Sequence, residues 1–176
     1  MRIIKLLSLI FFLCFNICQH SLYSQWEKRE FDKALSYFDK AILIGKELNT
    51  NFILCMFLNR KAVLLFQLGK IKDSQSVNNE ALEIAKKIDR KNIIFYCGLL
   101  SVKIKSISDK LVAINELRMM LNDFKEDYQL AELNYEIFKL DNTTENKMQA
   151  FEIYSKLYEK TPKADFKKRI EELKAS

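Results

Sequence analysis

The sequence predicts an all-α chain. Apolar residues recur at intervals of three and four along almost its whole length, and no strand-like alternation persists. Only 3 Gly and 1 Pro occur in 176 residues, too few to furnish the turns of a many-stranded sheet. At 49% hydrophobic residues the chain has enough apolar content for a core and does not read as a disordered segment.

The elements follow in order. Phe31, Ala34, Leu35, Phe38, Ala41 and Ile42 form the stripe of a first amphipathic helix. A second is expected from about Phe52 to Leu68, stopped by Gly69, where a glycine readily takes the left-handed conformation that ends a helix. A third covers about Lys72 to Ile88, with Val77, Ala81, Leu82 and Ile84 on its apolar face, and a fourth runs from Ile93 to Ile104. Ser106-Ile107-Ser108-Asp109 breaks that helix and reads as a capping box for a fifth, Lys110 to about Asn122. The sixth runs from about Tyr128 to Leu140 and the seventh from Glu145 to Lys160, separated by the polar loop Asp141-Asn142-Thr143-Thr144. Thr161 as N-cap and Pro162 as first helical residue are expected to open an eighth, with Phe166, Ile170 and Leu173 on one side.

The first residues read as an export signal. Arg2 and Lys5 precede the charge-free apolar run Leu6 to Cys18, and small residues near Ser24 offer a cleavage site. The expected organisation is a secretory signal at 1–24 and one helical-repeat domain at 25–176. The expected location is exported, periplasmic or extracellular, with an uncleaved N-terminal membrane anchor as the alternative. Removing the signal takes Arg2 and Lys5 from the 29 cations, leaving 27 against 23 acids, a net charge of +4. It also removes His20, the only histidine, which excludes His-based nucleophile systems and His-ligated metal sites from the mature chain. Cys55 and Cys97 remain, too few for a four-cysteine metal site; they are either a disulfide pair or two buried thiols. Gly45, Gly69 and Gly98 are isolated, so no glycine-rich phosphate loop exists. No cofactor, metal or catalytic residue is assigned, and the chain reads as a non-enzyme. Asp123, Glu126 and Asp127 are the one cluster of acids considered for acid–base chemistry, and they fall where helix ends commonly carry acids.

Small residues mark a repeat. Ala34, Ser74, Ala113 and Ala150 lie 40, 39 and 37 residues apart, each on the second helix of a pair. A small residue there lets two helices cross closely, and the residue four later, Phe38, Asn78, Leu117 or Tyr154, fills the groove. With Ala62, Gly69, Ala81 and Leu82 in the second repeat, Ala41 in the first and Pro162 after the last, the pattern resembles the tetratricopeptide repeat family over most of residues 26–162. The spacing exceeds that family's usual repeat of about 34 residues. The resemblance implies stacked antiparallel helical hairpins, an α-solenoid of about 3.5 repeats closed by a C-terminal capping helix, that binds a peptide or protein surface on its concave side.

The first helices would line that side. The expected partner-binding residues are Met56, Asn59, Val63 and Phe66 on one helix, Phe95, Val102 and Lys105 on the next, and Tyr135 and Lys139 on a third. This mixed apolar and cationic face suits an extended peptide or a partner helix. The expected function is a non-enzymatic interaction scaffold in the cell envelope or exported space. The alternative is the sensory or regulatory part of a signalling system whose output domain is on another chain. A missing first helix leaves an apolar edge around Phe31 and Phe38, where a partner, a second copy or the retained signal segment would pack. The basic clusters Lys86-Lys87/Arg90-Lys91 and Lys163/Lys167-Arg169 are interleaved with glutamates, so they read as solvated faces and no nucleic-acid partner is expected. A membrane enters only if the signal segment is uncleaved.

Overall fold

The computed structural model describes residues 28–175, and the expected signal at 1–24 lies outside them. Among the described residues there are eight α-helices and no strand: α1 (Lys28–Glu47), α2 (Asn51–Gln67), α3 (Ile71–Lys87), α4 (Lys91–Lys105), α5 (Lys110–Asp123), α6 (Asp127–Asp141), α7 (Thr144–Lys160) and α8 (Ala164–Ala175). They take up 86% of those residues, so the connectors are only two to four residues long. Helices that long, joined that tightly, fold back as antiparallel neighbours. None of them is long and apolar enough to cross a membrane. Two expected boundaries change. α8 starts at Ala164, because Thr161 closes α7 instead of capping the next helix. The cap of α5 is Asp109 alone, accepting from the Val112 N–H at 3.0 Å; its third helical residue is Val112, which has no side-chain acceptor to complete a box.

The chain forms two compact units that divide after Ser101, inside α4. In the first unit, residue pairing shows the antiparallel register. Ser74 near the start of α3 donates to the Ala62 carbonyl of α2 at 2.8 Å, while Asn78, one turn later on α3, meets Asn59, earlier on α2. The expected small residues sit at the crossings: Ala34 and Ser74 are buried, and Ala81 and Ala85 are fully buried behind Ser74. Phe38 is 2% exposed, its ring 6.3 Å from that of Phe57. It is therefore a core residue and not part of an open apolar edge, because Ala34 and Ala41 let α1 settle closely against α2. Asn78 fills the groove as a polar residue, unlike Phe38 and Leu117 at the equivalent places. It is fully buried and donates to the Cys97 carbonyl and the Ser101 hydroxyl, each at 2.9 Å. Asn59 in turn donates to Asn78 Oδ1 at 3.5 Å and Cys97 Sγ at 3.4 Å. Cys55 and Cys97 are buried free thiols. Burial pushes Cys97 up to about 12 and raises Cys55 as well, so neither is a thiolate nucleophile at neutral pH.

The three connectors of this unit share one geometry. Asn49, Gly69 and Asp89 take φ values of 49°, 72° and 49°. Each donates three residues back, to Lys46, Phe66 and Lys86, at 3.0–3.2 Å. The following Thr50, Lys70 and Arg90 donate five residues back, to Gly45, Leu65 and Ala85, at 2.9–3.0 Å. This left-handed stop satisfies the last carbonyls of each helix.

In the second unit, α6, α7 and α8 pack around Ala131, Tyr135, Phe138, Ala150, Tyr154 and Leu173. Ala113 and Ala150 are fully buried, with Leu117 and Tyr154 at 1% exposure one turn on. Lys103 pairs with the buried Glu136 at 2.6 Å. Arg169 fastens α8. Its guanidinium lies 4.1 Å over the Tyr135 ring, bonds Glu172 at 3.1 Å and approaches Glu132 at 3.8 Å. Tyr135 and Tyr154 donate to Glu172 and Glu132 at 2.6 and 2.7 Å. Burial raises both phenols far above their ordinary range, which keeps them protonated donors. For Glu172, burial works against ionisation, but the bonds from Tyr135 and Arg169 prevail and hold the carboxyl below its ordinary value.

No heavy atom lies within 4 Å of a Cβ built on Gly69, so Gly69→Ala costs only backbone strain, about 1 kcal/mol, whereas Asp89→Gly relieves strain and raises stability by up to a similar amount. Urea unfolding midpoints check both. Arg169→Ala weakens α8 by about 1–2 kcal/mol, reduced from a buried pair's value because the side chain is 27% exposed. Hydrogen exchange should speed up in α8 before α6. Because Glu172 is depressed, its contribution is complete above the unfolded value of about 4.3 and is lost as pH falls through the lower folded value. The parent protein should therefore show the same α8 loosening in acid.

Candidate partner-binding face

α2 is the most thoroughly packed helix of the first unit. Leu54, Cys55, Phe57, Leu58, Asn59, Ala62, Leu64 and Leu65 are buried and cover most of its circumference. Twelve of its 17 residues are apolar, which fits a helix enclosed by neighbours. One strip stays open: Phe52, Met56, Arg60, Val63 and Gln67, at successive spacings of four, four, three and four. That spacing keeps residues on one line along a helix. Met56 and Val63 are half-buried on this line, and Phe66 is half-buried at its edge. Packing of their stems fixes their positions while part of each side chain remains reachable.

The strip carries positive charge at two points. Arg60 is exposed in its middle. At its N-terminal end the Arg90 guanidinium lies 4.5 Å over the ring of Phe52, which is 41% exposed. A guanidinium over an aromatic face is attracted by the ring quadrupole and held in a defined place. The neighbouring Lys61 is taken by Asp39 of α1 at 2.6 Å.

The nine residues expected to meet a partner fall into three groups. Met56, Val63 and Phe66 on α2 are partly accessible. Asn59, Phe95, Val102 and Tyr135 are buried, with exposures of 4%, 0%, 4% and 6%. Two of these are held by polar bonds already described, Asn59 in the amide network and Tyr135 on Glu172. Lys105 and Lys139 are exposed, but Lys105 pairs with Glu116 at 2.6 Å and Lys139 lies 5.6 Å from the Tyr135 ring centre. Met56, Asn59, Val63, Phe66 and Phe95 belong to the first unit; Val102, Lys105, Tyr135 and Lys139 belong to the second.

The expected partner-binding face did not include Arg60 or Phe52. The signal was present: both lie on the line through Met56, and periodicity alone would have included them. Sequence reasoning missed the stacking of Arg90 on Phe52 because the two lie 38 positions apart, and only the antiparallel folding creates their contact. The acids considered for catalysis lie at helix ends, Asp123 at the end of α5 and Glu126 and Asp127 at the start of α6. Gln129 accepts from the Glu126 N–H at 3.3 Å, and Asp127 sits in the first turn of α6, 3.9 Å from Lys160. No protein-family model matches the chain, and no curated protein matches it.

Proposed function

We propose that this protein is a non-enzymatic interaction module of the tetratricopeptide-like kind, acting in the cell envelope or exported space, and that it docks a peptide or partner helix on the open strip of α2. One observation carries the reading. α2 is enclosed around most of its circumference yet keeps Met56, Val63 and Phe66 partly accessible on one side. Apolar side chains already ordered by their own core lose little entropy on binding, which is what makes a preformed face effective. The export part of the reading rests on the charged start, short apolar run and small-residue exit of residues 1–24.

The test is a pull-down from envelope extract with the full chain as bait, beside a Met56→Ala/Val63→Ala/Phe66→Ala variant of matched helicity and unfolding midpoint. Each truncated anchor is expected to cost about 1–2 kcal/mol, so the triple variant should lose the partner entirely. A partner retained equally by both baits, or by neither, contradicts the reading.

A further inference from the structure

The acids of the first unit are distributed by helix. Between residues 28 and 101 every Asp and Glu lies on α1, on α3 or in the connector at Asp89. α2, with the sequence NFILCMFLNRKAVLLFQ, contains none, and neither does α4, KNIIFYCGLLSVKIK. The whole chain holds 23 acids, and in this unit those of α1 and α3 pair Lys33 with Glu30, Lys46 with Glu80 and Lys86 with Glu83, while Lys40, Lys72 and Lys87 on the same helices make no ion pair among the described residues. Arg60 makes no ion pair among the described residues, and Arg90 is held against Phe52 and not against a carboxylate. The open strip of α2 thus has two placed cations, an apolar residue between them and no acid on its own helix.

Resting on the interaction reading above, we infer that the segment docked on α2 is acidic, with two carboxylates bracketing an apolar residue. Phe52, where Arg90 is seated, and Arg60 are eight residues apart on the helix, a rise of about 12 Å. An extended chain covers that distance in about four residues, with alternate side chains on one face. Acidic, any, apolar, any, acidic is therefore the matching pattern: one carboxylate meets Arg90, the apolar side chain covers Met56, and the other carboxylate meets Arg60. Guanidinium groups suit this role because they bind carboxylates through two parallel hydrogen bonds. A lipid surface would also supply anions but offers no reason for two cations placed about two turns apart on one narrow strip.

The experiment measures fluorescence anisotropy of the full chain with three labelled synthetic peptides built on Glu-Thr-Leu-Thr-Glu, Gln-Thr-Leu-Thr-Gln and Lys-Thr-Leu-Thr-Lys, and its co-sedimentation with phosphatidylglycerol vesicles. The glutamate peptide should bind at least about fivefold more tightly than the glutamine one, an advantage that shrinks with added salt. Arg60→Gln should erase about half of that advantage on a logarithmic scale while leaving the glutamine peptide unchanged. Arg60 is exposed, so this variant tests charge without disturbing the core. Equal binding of the glutamate and glutamine peptides, both lost in the Met56/Val63/Phe66 variant, overturns the acidic preference and keeps the docking strip. No binding of any peptide overturns both readings. Sedimentation with vesicles but no peptide binding overturns the inference in favour of a lipid surface.

Discussion

The first unit depends on the side chain of Asn78. Its amide bonds the Cys97 carbonyl and the Ser101 hydroxyl of α4 at 2.9 Å each, and receives Asn59 of α2 at 3.5 Å. One buried group on α3 thereby links the helices on either side of it. An unpaired buried amide costs about 1–3 kcal/mol, so each arrangement of these helices that breaks the bonds is penalised. Apolar contacts around it supply most of the stabilising free energy but are tolerant of sliding; directed bonds fix the register. The position of α2 against α3 fixes in turn which residues of α2 remain uncovered.

A second constraint is the length of a helix plus its stop. Asn49, Gly69 and Asp89 lie at intervals of 20 residues, so each hairpin of the first unit occupies 40. That is the physical origin of the 40-residue spacing: each connector has three residues of the same geometry, and each helix between them has 17. The second unit has connectors of two to four residues without that regular stop, and its end is held instead by Arg169 between Tyr135, Glu132 and Glu172.

The fold was legible in the sequence to within two or three residues at most helix ends, because apolar spacing and small residues at crossings report directly on packing. Ala34, Ser74, Ala113 and Ala150 are all buried as that logic requires. The site was legible only in part. Met56, Val63 and Phe66 are partly accessible, as a docking face needs, but Asn59, Phe95, Val102 and Tyr135 lie inside. Periodicity identifies the side of a helix and not how closely the next helix approaches it. A polar residue such as Asn59 looks like surface until its buried partners Asn78 and Cys97 are placed beside it, and they lie 19 and 38 residues away. Phe38, expected on an apolar edge with Phe31, is likewise buried, with Ala34 and Ala41 buried on the same helix.

The most direct test of this account is hydrogen exchange on an Asn78→Leu variant together with its urea unfolding. Leucine has a similar size and would serve well if Asn78 were only filling the groove, as Phe38 and Leu117 do at the equivalent positions. The account predicts a loss of about 1–3 kcal/mol and faster exchange in both α2 and α4, while α6 and α7 are unchanged. Equal or greater stability, with α2 and α4 protected as before, would contradict the claim that the amide bonds hold the first unit in register.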